Sequence, residues 1–173
     1  MEIRPDSGFR DIYDETYPML VRIACNITGN LPVSEELCQE AFIKYLSREM
    51  PLPSRDETKY WLIRVVKNLC YNQVKRNTRE LKAYNKVLNE PKPPEESGEI
   101  TVIKKETNMI IREALQKLPE KLKAPLVLKE YGDLSYREIA AVLKISEGNV
   151  KVRIFRARNL LETLLDKEEL HVS

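Results

Sequence analysis

The sequence predicts an all-α protein built from two small helical domains that a flexible linker joins. Apolar residues recur at helical spacing through most of the 173 residues, and glycine occurs only 5 times. Three prolines and one glycine fall within residues 88–100, where apolar side chains are few. We therefore divide the chain into four segments, which are a first domain (1–87), a linker (88–103), a second domain (104–166) and a polar tail (167–173).

The first domain is predicted to contain three helices. The first covers 9–27 and includes Pro18, so we expect a kink or break near Tyr17. The second covers 33–47, with Ser34 as its N-cap. A proline-rich loop precedes the third helix, which covers 57–85 and is apolar on one side as far as Val74.

The second domain is predicted to contain four helices, over 104–117, 120–131, 135–144 and 146–165. Ser135 and Glu138 have the spacing of a capping box. Apolar and small residues of the last two helices are placed so that the helices cross closely after a one-residue turn. This arrangement predicts a helix-turn-helix.

Charge is unevenly distributed along a chain whose net charge is only +2. Residues 60–86 hold seven basic side chains and one acid, and residues 151–158 hold four basic side chains and no acid. Segregation of this kind indicates a polyanionic partner at two sites.

The outward face of the last helix is a candidate site for duplex DNA. Asparagine and arginine can bond to base edges, and lysine and arginine can neutralise phosphates. An ordinary basic surface helix is the alternative, which the capped helix and tight turn before it disfavour. The candidate residues are Glu147, Asn149, Lys151, Arg153 and Arg156.

The third helix is a candidate site for single-stranded DNA. Unstacked bases need aromatic faces and the backbone needs cations, and this helix interleaves both. Trp61 is equally well explained as a core residue, since it lies in phase with Leu62, Val65 and Leu69. The candidate residues are Trp61, Arg64, Asn68, Asn72, Lys75 and Arg76.

Enzyme chemistry is not indicated by any motif. The sequence shows no nucleophile–base pair, glycine-rich phosphate loop or metal-ligand cluster, so we predict no catalytic residue, metal, cofactor or small-molecule substrate. The three cysteines are expected to be reduced core thiols. No apolar run reaches membrane-spanning length and the N-terminus lacks a signal-peptide core, which predicts a cytoplasmic protein.

The order of these motifs resembles the extracytoplasmic-function (ECF) class of the sigma-70 family of RNA polymerase sigma factors. SEELCQEAFIKYL is similar to the helix of that family that docks on polymerase, and YWLIRVVKNLCYNQVKR is similar to its melting and −10 recognition helix. SEGNVKVRIFRARNLL is similar to the pattern S-x-G-T-V-K-S-R-L-x-R-A-R-x-x-L, with Asn149, Val152 and Ile154 as departures.

The resemblance implies a sigma region 2 bundle followed by a sigma region 4 helix-turn-helix, and a role in transcription initiation. The partners it implies are core RNA polymerase, through the β′ clamp helices and the β flap, and promoter DNA. It assigns the third helix to the −10 element, the last helix to the −35 element, and the loop over 50–58 to a flipped promoter base. The implied polymerase-docking residues are Glu35, Glu36, Gln39, Glu40 and Phe42.

The resemblance further implies an anti-sigma factor, which in this family often holds the sigma factor at the membrane. A helix-turn-helix regulator that never docks on polymerase remains the alternative. In that case residues 1–87 would bind a ligand or a dimer partner instead.

Overall fold

The computed structural model describes residues 7–88 and 102–172, with side chains over 8–87 and 108–167. These residues form helices and loops without a strand, which confirms the all-α prediction. Most of the predicted linker lies outside the described residues. The helices are α1 (Ser7–Thr28), α2 (Leu31–Leu46), α3 (Arg55–Leu88), α4 (Val102–Lys117), α5 (Glu120–Tyr131), α6 (Tyr136–Leu143) and α7 (Glu147–Val172).

The first domain is a bundle in which α1, α2 and α3 pack against one another. The core is apolar because each helix turns one stripe inward, as Leu20, Ile23, Cys38, Leu62 and Val66 show by their full burial. Cys38 and Cys70 are buried, as expected of core thiols, whereas Cys25 is half-buried.

The helix α1 continues through Pro18, so of the kink or break expected near Tyr17 the break does not occur. The expected start of α2 is wrong. The helix α2 begins at Leu31 and its N-cap is Asn30, whose side-chain oxygen accepts from the backbone N–H of Val33 at 3.0 Å. Ser34 lies inside this helix, and its buried hydroxyl donates to the Asn30 carbonyl oxygen at 2.7 Å.

The second domain contains the predicted helix-turn-helix, formed by α6 and α7. The Ser135 hydroxyl accepts from the Glu138 N–H at 3.2 Å, and the Glu138 carboxylate accepts from the Ser135 N–H at 2.8 Å, which confirms the capping box. Lys144 ends α6 in the left-handed conformation. The helix α7 continues to Val172, so the segment expected to be a polar tail is helical over its described part.

The two domains pack against each other. The helix α1 contacts α4 and α5, and α3 contacts α6. Buried apolar residues of both domains therefore join one continuous core.

Candidate functional site

An acidic and polar face lies on the outside of α2. Glu35, Glu36, Gln39 and Glu40 are all exposed, and we call these four residues the docking face. Lys44 pairs with Glu40 at 3.3 Å, one helical turn further on. The opposite side of α2 is anchored in the core, so the acids are held on a fixed helix surface.

Phe42 was predicted to be a docking residue, but its side chain is only 3% exposed. Its ring centroid lies 4.8 Å from that of Tyr13 and 6.0 Å from that of Phe9, both on α1. Phe42 therefore fixes α2 against α1 and is not available to a partner.

The predicted single-stranded DNA residues of α3 fall into two groups. Asn68, Asn72, Lys75 and Arg76 are exposed. Trp61 and Arg64 are half-buried. We call Arg64 together with the four exposed residues the strand-holding face.

Trp61 packs against the core, as the alternative interpretation of the sequence expected. Its ring lies against Tyr45, and the guanidinium carbon of Arg48 sits 5.0 Å from the ring centroid. A cation above an indole face is a favourable contact. Here the Arg48 guanidinium also covers part of the Trp61 ring.

Arg64 and Lys75 are engaged by the second domain, which the sequence did not reveal. The Arg64 Nε donates to the Val142 carbonyl oxygen at 2.9 Å, and the Lys75 amine lies 3.1 Å from a Glu120 carboxylate oxygen. Burial lowers the pKa of the neighbouring Lys67 amine. Part of the basic surface of α3 thus faces protein in this arrangement.

A cavity of about 320 Å³ opens beside the loop that precedes α3. The loop contributes Leu52 and Ser54, α3 contributes its first residue, Arg55, and α1 contributes Asp11 and Ile12. Met50, in the same loop, is 74% exposed. The cavity has both apolar and hydrogen-bonding walls.

The helix α7 is held by its inner side. Val150, Ile154 and Ala157 are buried, and the Ser146 hydroxyl accepts from the Asn149 N–H at 3.2 Å at the start of the helix. The outer side is consequently fixed in direction. We call the five predicted duplex-DNA residues the recognition face, namely Glu147, Asn149, Lys151, Arg153 and Arg156.

Four residues of the recognition face are exposed, and Arg153 is half-buried. Glu147 and Lys151 pair at 3.7 Å along the helix. Between these polar side chains lie Val152 and Phe155, the latter 65% exposed. Their outward phase on α7 is visible in the sequence, but neither was included among the candidate residues. Apolar groups in a major groove can contact thymine methyl groups.

Metal-binding and membrane-spanning features were also sought. Within the described residues, His, Cys, Asp and Glu side chains form no group that could hold a metal ion. Over the same ranges, no helix is long and apolar enough to cross a membrane.

Comparison with known proteins agrees with this arrangement. The Sigma-70 region 2 family matches residues 12–80, and the family described as Sigma-70, region 4 matches residues 108–161. The region 2 match contains the docking and strand-holding faces, and the region 4 match contains the recognition face.

Individual relatives extend over most of the chain. The ECF RNA polymerase sigma factor SigW of Bacillus subtilis is 28% identical over 91% of this chain and 89% of its own length. The ECF RNA polymerase sigma-E factor of Escherichia coli is 31% identical over 78% of this chain and 73% of its own length.

A solved structure shows the same fold. The sigma factor RpoE from Bartonella quintana, in a co-crystal structure with the anti-sigma factor NepR, superimposes with a TM-score of 0.67 at 24% identity. The superposition covers 93% of this chain and 98% of that one. Taken with the sequence relatives, these matches do not favour a regulator that acts without polymerase. The chain belongs to the sigma-70 family as an ECF RNA polymerase sigma factor, a transcription initiation factor that acts with core RNA polymerase on promoter DNA.

Proposed function

We propose that three faces of this chain divide the work of initiation. The docking face of α2 binds the clamp helices of the polymerase β′ subunit, and the second domain contacts the β flap. The strand-holding face of α3 binds the −10 element, and the recognition face of α7 binds the −35 element. The observation that carries this proposal is that the chain presents one exposed acidic helix face and two basic helix faces. The opposite side of each of these helices packs into the core.

Recognition of the −35 element is supported by the geometry of α7. A helix-turn-helix places the start of its second helix in the major groove, and Asn149 and Lys151 are exposed there. Arg156 is exposed about two turns after Asn149 on the same helix. Arginine and asparagine discriminate guanine and adenine edges, whereas lysine contributes mainly phosphate contacts. We therefore assign sequence reading to Asn149 and Arg156.

Opening of the −10 element is proposed to follow from binding to the separated strand. Taking a base out of the duplex costs a few kcal/mol. Stacking on side chains returns roughly 1–3 kcal/mol per base, and cations on α3 add favourable contacts with the backbone. The cavity beside the segment over 50–58, which is a loop as far as Ser54 and then the first turn of α3, is the proposed receptor for one flipped base.

The protein itself would carry out no covalent chemistry. Polymerase would catalyse the reaction, and this chain would position polymerase on the promoter. The proposed place of action is the cytoplasm, where bacterial core polymerase meets DNA. The structural relative from Bartonella quintana was solved with an anti-sigma factor. We propose a partner of that class for this chain too, with membrane attachment through that partner.

A charge-reversal experiment tests polymerase docking. The double variant Glu36→Lys, Glu40→Lys reverses two exposed acids on the docking face and should abolish capture of purified core polymerase by the tagged chain. The matched control is Glu113→Lys with Glu162→Lys, which reverses two exposed acids on α4 and α7. Equal capture by both double variants would contradict the assignment of α2.

Run-off transcription tests the function as a whole. Core polymerase is supplied with this chain on fragmented genomic DNA, and we expect discrete transcripts that require the chain. Alignment of their upstream sequences would reveal both promoter elements. DNA binding without any new transcript would contradict the proposal and favour the plain regulator.

A further inference from the structure

Two apolar side chains project from α7 into solvent. Val152 is 46% exposed and Phe155 is 65% exposed, and we call these two residues the apolar patch. They stand three residues apart, so they are neighbours on the helix surface. At 3.6 residues per turn, Val152 points away from Val150, which is fully buried. The apolar patch therefore lies in the middle of the side of α7 that faces away from the core.

Polar side chains surround the apolar patch without covering it. Asn149 precedes Val152 by three residues and Arg156 follows it by four, so both are its neighbours on the helix, and both are exposed. The amine of Lys151 lies 5.8 Å from the centre of the Tyr136 ring on α6. Lys151 thus leans towards the preceding helix and leaves the apolar patch open.

The first turn of α7 leaves room for a ligand to approach the apolar patch. Gly148 lies four residues before Val152, on the same side of the helix. A side-chain carbon placed on Gly148 would meet no atom within 4 Å, so the space outside this turn is open. Because glycine itself adds no side chain there, the edge of a base pair can come close to the helix and reach Val152.

The surroundings of the apolar patch indicate which partner it fits. Contacts with phosphate depend on cations, and valine and phenylalanine add nothing to them. In the major groove the base pairs present hydrogen-bonding groups, together with one apolar group, the C5 methyl of thymine. An apolar patch flanked by an asparagine and an arginine matches that combination better than it matches the apolar surface of a second protein.

The position of Val152 is also where this chain departs from its family. The pattern S-x-G-T-V-K-S-R-L-x-R-A-R-x-x-L has serine there, and it leaves the position of Phe155 unspecified. A serine hydroxyl bonds to several different base edges, whereas a valine side chain neither donates nor accepts a hydrogen bond. Valine at the most outward position of α7 therefore exchanges a polar contact for an apolar one.

We propose that Val152 and Phe155 read a thymine of the −35 element through its C5 methyl group. This inference rests on the proposed function of α7, and it adds one base to those assigned to Asn149 and Arg156. Val152 lies between these two residues on the helix surface, so the thymine lies between the base pairs that they contact. Burial of one methyl group strengthens binding about fourfold.

Replacement of thymine by uracil tests this contact, because uracil pairs with adenine in the same way but lacks the methyl group. The DNA is a promoter duplex obtained from the run-off experiment, made once with thymine and once with uracil throughout both strands of the −35 element. Binding by the full chain in complex with core polymerase is measured by fluorescence anisotropy. We expect the uracil duplex to bind about fourfold more weakly for each methyl group contacted. Equal binding of the two duplexes would overturn the proposal.

A double variant links the methyl effect to the apolar patch. Val152→Ser with Phe155→Ala changes two exposed side chains and should bind the thymine and uracil duplexes equally well. The matched control is Met109→Ala, which removes an exposed apolar side chain from α4, where Met109 is 58% exposed, and should keep the full preference for thymine. A double variant that keeps this preference would overturn the proposal. Loss of core polymerase capture by the double variant would also overturn it, because the patch would then bind protein.

A second base separates the methyl group from the shape of the duplex. At the thymine whose replacement matters, the pair is changed to cytosine with guanine, and the cytosine is used with and without a C5 methyl group. We expect 5-methylcytosine to bind about fourfold more tightly than cytosine. Equal binding of the two would assign the uracil effect to duplex shape and contradict the methyl contact.

Failure of the proposed function can be told apart from failure of methyl reading. Arg156→Ala should weaken binding to the thymine duplex about tenfold. If Arg156→Ala binds as tightly as the unchanged chain, the assignment of α7 to the −35 element fails, and methyl reading fails with it. If Arg156→Ala weakens binding but the unchanged chain does not distinguish thymine from uracil, only the methyl reading fails.

Discussion

The two helices that we propose to face DNA differ in how they are held. On α7, Asn149, Lys151 and Arg156 are exposed, and the ion pair that Lys151 makes with Glu147 lies within the same helix. On α3, Arg64 and Lys75 contact carbonyl and carboxylate groups of the second domain. One basic surface is presented by its own domain, whereas the other is shared with a domain interface.

This difference shows how similar charge patterns lead to different availability. The helix α7 buries Val150, Ile154 and Ala157 within its own domain, so its outer side remains open. The helix α3 is long enough to pack in the core of its own domain and also to contact α6 of the second domain. Access to α7 should therefore depend on the stability of its domain, and access to α3 on the closure between domains.

The largest effect is expected from removing the support of α7. Ile154 is 1% exposed, and Ile154→Ala should lower the free energy of unfolding by about 2–5 kcal/mol, because it leaves a cavity under the helix. Chemical denaturation followed by circular dichroism measures this loss. The exposed Val152→Ala is the control, and a loss below about 1 kcal/mol for Ile154→Ala would contradict the packing described.

A pH titration tests the packing of the two domains against each other, which covers part of α3. Burial lowers the pKa of the Lys123 amine to about 8, from an ordinary value of 10.5 in an exposed amine. We call the form in which the two domains are packed together the closed form. Below pH 8 it carries the full cost of burying the charged Lys123 amine, and this cost falls as pH rises from 8 towards 10.5. The closed form should gain about 3 kcal/mol at most across this range.

Scattering measurements at several pH values follow this gain as a decrease in the fraction of open chains. The titratable group beside Lys123 is the Cys70 thiol of α3, whose pKa burial raises to about 12, so it stays protonated in this range. Lys123→Met has no amine to titrate. The same pH response in that variant would rule out Lys123 as its source.

A pair of arginine variants sharpens the comparison further. Arg156→Ala should weaken duplex promoter binding by about 1–3 kcal/mol, both in the free chain and in the complex with polymerase. Arg64→Ala should have a smaller effect on the free chain, because Arg64 is already committed to the Val142 carbonyl, and a larger effect once polymerase is bound. Equal losses for both variants in both states would contradict the proposed difference in availability.

The smallest effect is expected at the start of the helix-turn-helix. Ser135→Ala removes the hydroxyl that caps α6 and should cost about 1 kcal/mol of stability. Thr163→Ala, at an exposed position inside α7, is the control and should be nearly neutral. Thermal unfolding distinguishes the two, and equal midpoints would indicate that the capping box contributes nothing.

Much of this structure follows from local sequence. The bounds of α5 and the capping box of α6 agree with the prediction, because proline before the first and the Ser135–Glu138 pair in the second are strong local signals. The start of α2 was misplaced because Asn30 and Ser34 are both good caps. Pro32 lies in the first helical turn, where proline is tolerated, and this allows the earlier start.

The sites were only partly predictable for a different reason. Exposure of the docking and recognition faces follows from helical phase, which a sequence displays directly. Phe42 is buried despite its place in a docking motif, because aromatic residues of α1 surround it. The bonds from Arg64 and Lys123 end on backbone carbonyl groups 78 and 96 residues away, and any residue type can supply a carbonyl.

The length of α3 has a mechanical consequence. At 1.5 Å per residue its 34 residues form a rod about 51 Å long, and Leu88 lies about 33 Å beyond Val66 in the core. A tilt of about 10° around Val66 would therefore move the far end by about 6 Å. The helix is a lever, so a small force at its exposed end exerts a large torque on the buried end, where Arg64 meets α6.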